Sequence, residues 1–270
     1  MTIADIQAKK KQGKKITLLT AYDYPSASFI DQAGIDIILV GDSLAMSVLG
    51  YESTLPVTME EMLHHAKAAR RAVKNALLVG DMPLEASNKS VTATVKNAAR
   101  FIKEAGCDAI KLEGAGKMLE TIKAVIKEGI PVMGHVGLTP QTADSFKVQG
   151  KDAQAAQRII DDAISLEKAG VFSIILECMP DELAKIITGK LSIPTIGIGA
   201  GIWCDGQALV TNDMIGLFEK FTPKFVKKYA NLSEEMLKAF KAYREEVENL
   251  KFPAAEHSFH MKKEEIERLK

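Results

Sequence analysis

The chain is poor in the residues that mark secreted and membrane-spanning proteins. It has three cysteines among 270 residues, Cys107, Cys178 and Cys204, and no C-x-x-C pair. Because an odd cysteine count offers no disulfide framework, we predict a reducing, cytoplasmic setting. No apolar stretch approaches the roughly 20 residues of a membrane span, and the N-terminus lacks an apolar signal core, so no membrane partner is expected.

An excess of charge of either sign is also lacking. The 35 basic residues balance the 35 acidic ones, which argues against nucleic acid as a partner. The one dense basic run, residues 9–15, is predicted to be a solvated turn or loop. Apolar residues, by contrast, make up 47% of the chain, enough to form the core of one large domain.

Short apolar, β-branched runs alternate with helical patterns along the chain. Runs that are continuously apolar are typical of strands covered on both faces of a parallel sheet. The predicted strands are residues 16–20, 36–40, 77–79, 109–112, 130–134, 172–176, 194–198 and 207–211. The clearest predicted helices between them are residues 58–74, 91–105, 116–127 and 153–169.

Eight β/α units in a chain of this length favour an α/β fold, a single (β/α)8 TIM barrel over residues 1–270. A doubly wound open sheet stays open as an alternative, because periodicity does not report barrel closure. Glycines such as Gly34 and Gly170 end helical patterns just before strands, as expected of left-handed helix caps. The C-terminal helical patterns, roughly residues 233–270, are predicted to pack outside the barrel, on one end of it or on a neighbouring subunit.

Polar residues stand at the carboxyl ends of five predicted strands. They are Asp42 and Ser43, Asp81, Lys111 and Glu113, His135, and Glu177. Taken alone, Asp42 is more typical of a helix N-cap than of a catalytic group. Because every C-terminal strand end of a parallel barrel opens on one face, we predict that the whole set converges there.

Such a cluster favours a hard cation and a charged ligand, since carboxylates are costly to desolvate unpaired. Oxygen ligands from Asp42, Asp81 and Glu113 suit Mg2+. With Lys111 alongside, the best ligand is an α-keto acid, whose carboxylate and keto oxygen would chelate the metal and whose enolate the metal would stabilise. Glu177 is then the predicted base that removes the C–H proton.

A glycine-rich stretch, Gly197-x-Gly199-Ala-Gly201, looks like a dinucleotide fingerprint. It comes late in the chain, however, and no helix begins directly after it. We instead expect these glycines to let a ligand, part of a folate, approach the backbone.

At the residues above, the sequence closely resembles the ketopantoate hydroxymethyltransferase family. The matching stretches run nearly end to end and include TAYDYP at 20–25, VGDSLAM at 40–46, GDMP at 80–83, KLEG at 111–114, GHVGLTPQ at 134–141, LECMP at 176–180 and EHSF at 256–259. Departures are minor; Ala45, for example, stands where the family often has Gly. The resemblance implies a barrel of the phosphoenolpyruvate mutase/isocitrate lyase type and a homodecamer built as a pentamer of dimers.

The resemblance also implies roles for individual residues. Asp42 and Asp81 would bind Mg2+ directly, and Glu113 would be a metal residue acting directly or through water. Ser43 and Lys111 would hold the keto acid together with the two Asp residues. Glu177 would be the general base. We further expect His135 to line the substrate pocket.

The implied reaction transfers a hydroxymethyl group from 5,10-methylenetetrahydrofolate to 3-methyl-2-oxobutanoate and forms 2-dehydropantoate. One alternative is a C–C lyase or mutase of the same superfamily, although no cysteine here is followed by Gly, as the Lys-Cys-Gly-His loop of isocitrate lyases requires. The other is a non-catalytic barrel that senses a keto acid. A sensor would need the metal and Lys111 but not Glu177.

Overall fold

Parallel strands form a closed barrel in the computed structural model, which describes residues 1–141 and 147–269. The strands are Ile16–Thr20 (β1), Ile37–Val40 (β2), Leu77–Asp81 (β3), Ala109–Lys111 (β4), Val132–Gly137 (β5), Ser173–Glu177 (β6), Thr195–Ile198 (β7) and Gly206–Leu209 (β8). Each strand pairs with the next, and β8 pairs with β1. The predicted (β/α)8 barrel is confirmed, and the open sheet is excluded.

Helices follow the strands along the chain. They are Ile3–Lys11 (α1), Tyr24–Gln32 (α2), Leu44–Ser47 (α3), Met59–Arg70 (α4), Leu84–Ser87 (α5), Val91–Lys103 (α6), Leu119–Lys127 (α7), Ala153–Ala169 (α8), Asp181–Lys190 (α9), Thr211–Met214 (α10), Leu232–Glu248 (α11) and Lys263–Glu267 (α12). The predicted helix at 116–127 begins with a 3-10 turn, Gly116–Met118. None of the helices in the described part of the chain combines the length and apolar character needed to cross a membrane.

Local sequence explains where the helices begin and end. Thr58 and Glu61 form a reciprocal capping box at the start of α4, and the Asp152 side chain accepts a hydrogen bond from Ala155 N at the start of α8. Such bonds satisfy backbone donors that the first helical turn leaves unpaired. At the end of α8, Gly170 has φ 97° and takes the predicted left-handed cap.

The basic N-terminal run is not the free solvated turn that its composition suggested. Lys9 lies 2.5 Å from Asp36, and Lys10 lies 2.8 Å from Asp205. Ile6 of α1 packs into an apolar cluster formed mainly by strand residues. The helix therefore closes the N-terminal end of the barrel and leaves the C-terminal end as its open mouth.

A second, larger apolar cluster fills the layer between the sheet and the surrounding helices.

Two strand predictions are corrected by the pairing. The fifth strand was expected to end before His135, but β5 continues to Gly137 because its ladder with β6 extends to Glu177. The eighth was expected at 207–211 and ends at Leu209, since Thr211 already begins α10. The C-terminal helix α11 has no buried residue, and its packing outside the barrel stays a prediction.

Candidate active site

A buried ion-pair cluster lies at the C-terminal mouth of the barrel. Asp81 ends β3 and Lys111 ends β4, and the two residues pair in register. In-register neighbours on parallel strands project side chains to the same side, so the ammonium of Lys111 reaches Asp81. Lys111 Nζ lies 2.8 and 2.9 Å from the two Asp81 oxygens and 3.3 Å from Glu113 Oε1. All three side chains are nearly fully buried.

Asp42 joins this cluster from the loop after β2. Its backbone N–H donates to Asp81 Oδ2 at 3.1 Å, and its own Oδ2 accepts from Gln141 Nε2 at 2.9 Å. Ser43 Oγ lies 2.8 Å from the Tyr22 hydroxyl and makes no capping bond to α3. The capping explanation for this pair of residues is therefore wrong, because both side chains face partners across the mouth instead.

His135 connects Glu113 to Glu177. Its Nδ1 lies 3.2 Å from Glu113 Oε1, and its Nε2 lies 3.2 Å from Glu177 Oε2. The second contact is not aligned as a hydrogen bond, and Nε2 has no other partner among the described residues. His135 is 1% exposed and lies behind the residues that line the cavity. The geometry thus places it against the predicted base, and its expected role in the substrate pocket stays a prediction.

Glu177 ends β6, and three backbone hydrogen bonds fix the chain there. Its carbonyl accepts from Leu138 N at 2.9 Å, and the next residue, Cys178, donates to Ile198 O and accepts from Gln149 N. Cys178 has φ 46°, a left-handed conformation that costs a non-glycine residue roughly 1 kcal/mol or more. A Cβ on Gly137 would lie 2.3 Å from the Glu177 carbonyl, so only glycine permits this close approach.

The electrostatics of the cluster are unbalanced. Four carboxylates (Asp42, Asp81, Glu113 and Glu177) face one ammonium and one imidazole. Burial and the neighbouring Asp81 raise the pKa of Asp42 to about 8, although Lys111 opposes the rise. The site therefore has too little positive charge to keep every carboxylate ionised.

Glu113, by contrast, is well compensated. Burial would raise its pKa, but Lys111 and His135 outweigh burial and lower it to about 2. For His135, burial opposes the charged form, yet Glu113 and Glu177 prevail and raise its pKa to about 9. The pKa of Lys111 is likewise raised, because Asp81 and Glu113 outweigh the penalty of burial.

Most of the predicted residues line one cavity of about 740 Å3 in the barrel mouth. They are Asp42, Ser43, Asp81, Lys111, Glu113 and Glu177. Asp42, Asp81 and Lys111 come from β2 to β4, whereas Glu177 comes from β6, on the other side of the closed barrel. A small ligand bound at the carboxylates would therefore have Glu177 facing it.

Sequence reasoning missed Gln141 and Tyr22. Besides binding Asp42, the Gln141 amide donates to Met82 O at 2.9 Å, and its backbone N–H donates to Glu113 Oε2 at 3.2 Å. Gln141 thus ties the β5 loop to two site carboxylates. Both residues stand inside matched stretches, GHVGLTPQ and TAYDYP, but neither is ionisable at neutral pH and neither ends a strand.

The glycine-rich stretch after β7 has a different explanation from the one expected. A Cβ on Gly199 would lie 2.6 Å from the Phe225 ring, and one on Gly201 would lie 2.2 Å from Asp181 Cβ. The space beside these glycines is filled by the chain's own side chains. Close internal packing, and not ligand approach, accounts for them.

The donor set suits a hard cation at Asp42 and Asp81. Among the described residues no group of three or more His, Cys, Asp or Glu side chains is arranged to hold a metal. Glu113 is already engaged by Lys111, His135 and Gln141. Mg2+, however, commonly takes only one or two carboxylates and completes its shell with water and ligand oxygens. Asp42, the least compensated of the carboxylates, fits that requirement; Asp81 lies beside it but would have to share its oxygens with Lys111.

Known structures share this fold. Phosphonopyruvate hydrolase, in a complex with oxalate and Mg2+, superposes with a TM-score of 0.59 at 13% identity, covering 95% of this chain and 93% of that one. 2,3-Dimethylmalate lyase, a member of the PEP mutase/isocitrate lyase superfamily, superposes with a TM-score of 0.59 at 11% identity, covering 99% and 93%. The barrel type implied by the sequence resemblance is confirmed at the level of fold.

Sequence relatives are far closer. The 3-methyl-2-oxobutanoate hydroxymethyltransferase of Syntrophomonas wolfei is 54% identical over 100% of this chain and 99% of its own length. That of Syntrophus aciditrophicus is 56% identical over 96% of both chains. The family profile of ketopantoate hydroxymethyltransferase matches residues 1–255. The chain therefore belongs to the ketopantoate hydroxymethyltransferase family and is an enzyme of the transferase class.

Proposed function

We propose that this enzyme transfers a hydroxymethyl group from 5,10-methylenetetrahydrofolate to 3-methyl-2-oxobutanoate and forms 2-dehydropantoate, the first committed step of pantothenate and coenzyme A synthesis. The observation that carries the proposal is the position of Glu177. It faces a carboxylate pair and a buried lysine across one cavity. Relatives at 54–56% identity bear the name of this activity.

Asp42 and Asp81 would hold Mg2+, with Glu113 reaching it through water. A divalent cation offsets the excess of carboxylates and removes the reason for Asp42 to hold a proton. The complex of phosphonopyruvate hydrolase with oxalate and Mg2+ is a precedent on the same fold. When bound, Mg2+ supplies Lewis acidity at the keto oxygen and so increases the acidity of the C3 proton.

The chain's own groups then bind and deprotonate the keto acid. Lys111 and the Ser43 hydroxyl hold its carboxylate and keto oxygen on the β2 to β4 side. Glu177, on the β6 side, removes the C3 proton, and the resulting enolate carbon attacks the one-carbon unit of the folate. Water supplies the hydroxyl oxygen of 2-dehydropantoate, and tetrahydrofolate is released. His135 lies 3.2 Å from Glu177 Oε2 and limits the orientations of that carboxylate. The backbone hydrogen bonds of Glu177 and Cys178 hold the end of β6 that carries this carboxylate.

The decisive experiment separates proton removal from binding. Glu177→Gln keeps the shape of the side chain but removes the base, so exchange of the C3 proton of 3-methyl-2-oxobutanoate with deuterated water should fall by two orders of magnitude or more. The keto acid should still bind, as measured by calorimetry with Mg2+. Glu182→Gln, on the exposed start of α9, is the matched control and should exchange normally.

The same measurement distinguishes the alternatives. A keto-acid sensor would not need Glu177. Normal proton exchange in Glu177→Gln would therefore show that Glu177 is not the base. A lyase or mutase would exchange the proton but would not form 2-dehydropantoate when methylenetetrahydrofolate and Mg2+ are added. The cytoplasmic location and the homodecamer stay predictions; size-exclusion chromatography with light scattering tests the latter.

A further inference from the structure

A carboxylate at another end of the cavity lacks a partner. Asp213 lies in α10, just after β8, and lines the cavity while being only 9% exposed. Among the described residues, no side-chain hydrogen bond or ion pair ends on its carboxylate, and because its oxygens are not among the fully buried unpartnered atoms, they are open to the cavity. Burial raises the pKa of Asp213 to about 6, although the charge of Lys228 opposes the rise. A buried carboxylate without donors is costly, so a ligand that brings donors would be favoured.

This carboxylate lies on the β8 side of the mouth, near Tyr22, whose hydroxyl contacts Ser43. The cluster and the base come from β2 to β6, whereas Asp213 follows β8, between β7 and β1. The keto acid has only a few heavy atoms, and a cavity of about 740 Å3 holds much more. The part of the cavity near Asp213 is therefore available to the second substrate.

The walls of this part suit a flat ring. Leu209 and Val210 line it from the end of β8, and Phe218 and Phe225 line it from the segment that follows α10. Phe225 is held in place because its ring packs directly against the backbone of Gly199. Apolar walls with one carboxylate are a common design for an aromatic ligand with a polar edge.

We infer that Asp213 recognises the 2-amino-4-oxo-pyrimidine edge of a reduced pterin. The ring N3–H and the 2-amino N–H of that edge lie side by side, so the two carboxylate oxygens would accept both in a bidentate pair. The inference rests on the proposed function, because the folate is the one-carbon donor there. It deepens that function by assigning the residue that orients the donor.

The test uses tetrahydrofolate as the probe and calorimetry as the readout. Asp213→Asn keeps the size of the side chain but replaces one acceptor with a donor, and it should weaken binding about tenfold to a hundredfold. Asp161→Asn, an exposed change on α8, should bind normally. A 2-desamino analogue of tetrahydrofolate should bind the wild type about as weakly as tetrahydrofolate binds Asp213→Asn. The analogue should bind Asp213→Asn only slightly more weakly than it binds the wild type, because the analogue already lacks the amino group that would contact the carboxylate.

Two results would overturn the inference. One is that Asp213→Asn binds tetrahydrofolate with unchanged affinity. The other is that the wild type binds tetrahydrofolate and the analogue with equal affinity; this comparison uses only the wild-type protein, so it does not depend on the folding of a variant. C3 proton exchange by the wild type, measured without folate, reports the proposed function separately. If wild-type exchange fails, the proposed function fails, whereas the binding comparison still decides the role of Asp213.

Discussion

Removal of the Lys111 ammonium should destabilise the protein in a way that depends on pH. In the wild type the ammonium lies 2.8 Å from Asp81 and 3.3 Å from Glu113. At 2.8 Å and an effective dielectric constant of about 20, one such pair attracts by about 6 kcal/mol. Desolvation cancels part of this, and removal of one member of a buried pair costs about 3–5 kcal/mol. We expect that loss of unfolding free energy for Lys111→Met at pH 7.

The pH dependence follows from the shifted carboxyl groups. Lys111 helps to lower the pKa of Glu113 to about 2, so the stability it contributes through Glu113 is present above the unfolded pKa of about 4.5 and is lost as pH falls towards 2. In Lys111→Met, burial would dominate instead and raise the pKa of Glu113. Its carboxyl group, with that of Asp81, would then take up protons at higher pH than in the wild type, so the loss should shrink as the pH falls from 7 to 5.

Urea unfolding followed by circular dichroism at pH 5, 7 and 8 measures the effect. The matched control is Lys123→Met, which removes a lysine whose 2.9 Å pair with Glu120 is exposed to solvent on α7. Exposed pairs contribute about 0–1 kcal/mol, so this variant should change little at any pH. Equal losses in the two variants, or a Lys111→Met loss that does not vary with pH, would refute the reasoning.

Three further predictions concern the other groups of the mouth. Gln141→Ala removes donors to Asp42 and Met82 O and should lower the unfolding free energy by about 1–3 kcal/mol. Gln157→Ala on α8 is the control. An equal effect of the two substitutions would argue against the role of Gln141. Asp213→Asn should stabilise the protein by about 1–3 kcal/mol at pH 8, because a folded pKa of about 6 makes the ionised form unfavourable and solvent screens part of that cost. That gain should vanish below pH 4, and a gain that persists there would contradict the assignment. Asp42→Asn should raise the Mg2+ concentration needed for half-maximal C3 exchange at least tenfold; an unaltered Mg2+ titration would exclude Asp42 as a ligand.

Much of the fold follows from local patterns. The strands, α8 and the glycine caps were predictable because apolar periodicity and cap chemistry act over only a few residues. The end of β5 was not, because its last residues are held by the ladder to β6 and not by their own sequence. The role of the basic N-terminal run was also hidden, since its partners Asp36 and Asp205 are distant in the chain.

Local sequence is enough to predict which chemical groups lie at the barrel mouth, because strand ends of parallel β/α units share one face. These groups are Asp42, Asp81, Lys111, Glu113 and Glu177, each of which follows an apolar run. How they contact one another depends on the folded barrel. The tertiary structure placed Lys111 between two carboxylates, His135 behind Glu177, and Gln141 against Asp42, and it put Asp213 into the same cavity. These contacts join residues far apart in the chain, and they depend on barrel closure, strand register and burial, which no short stretch of sequence encodes.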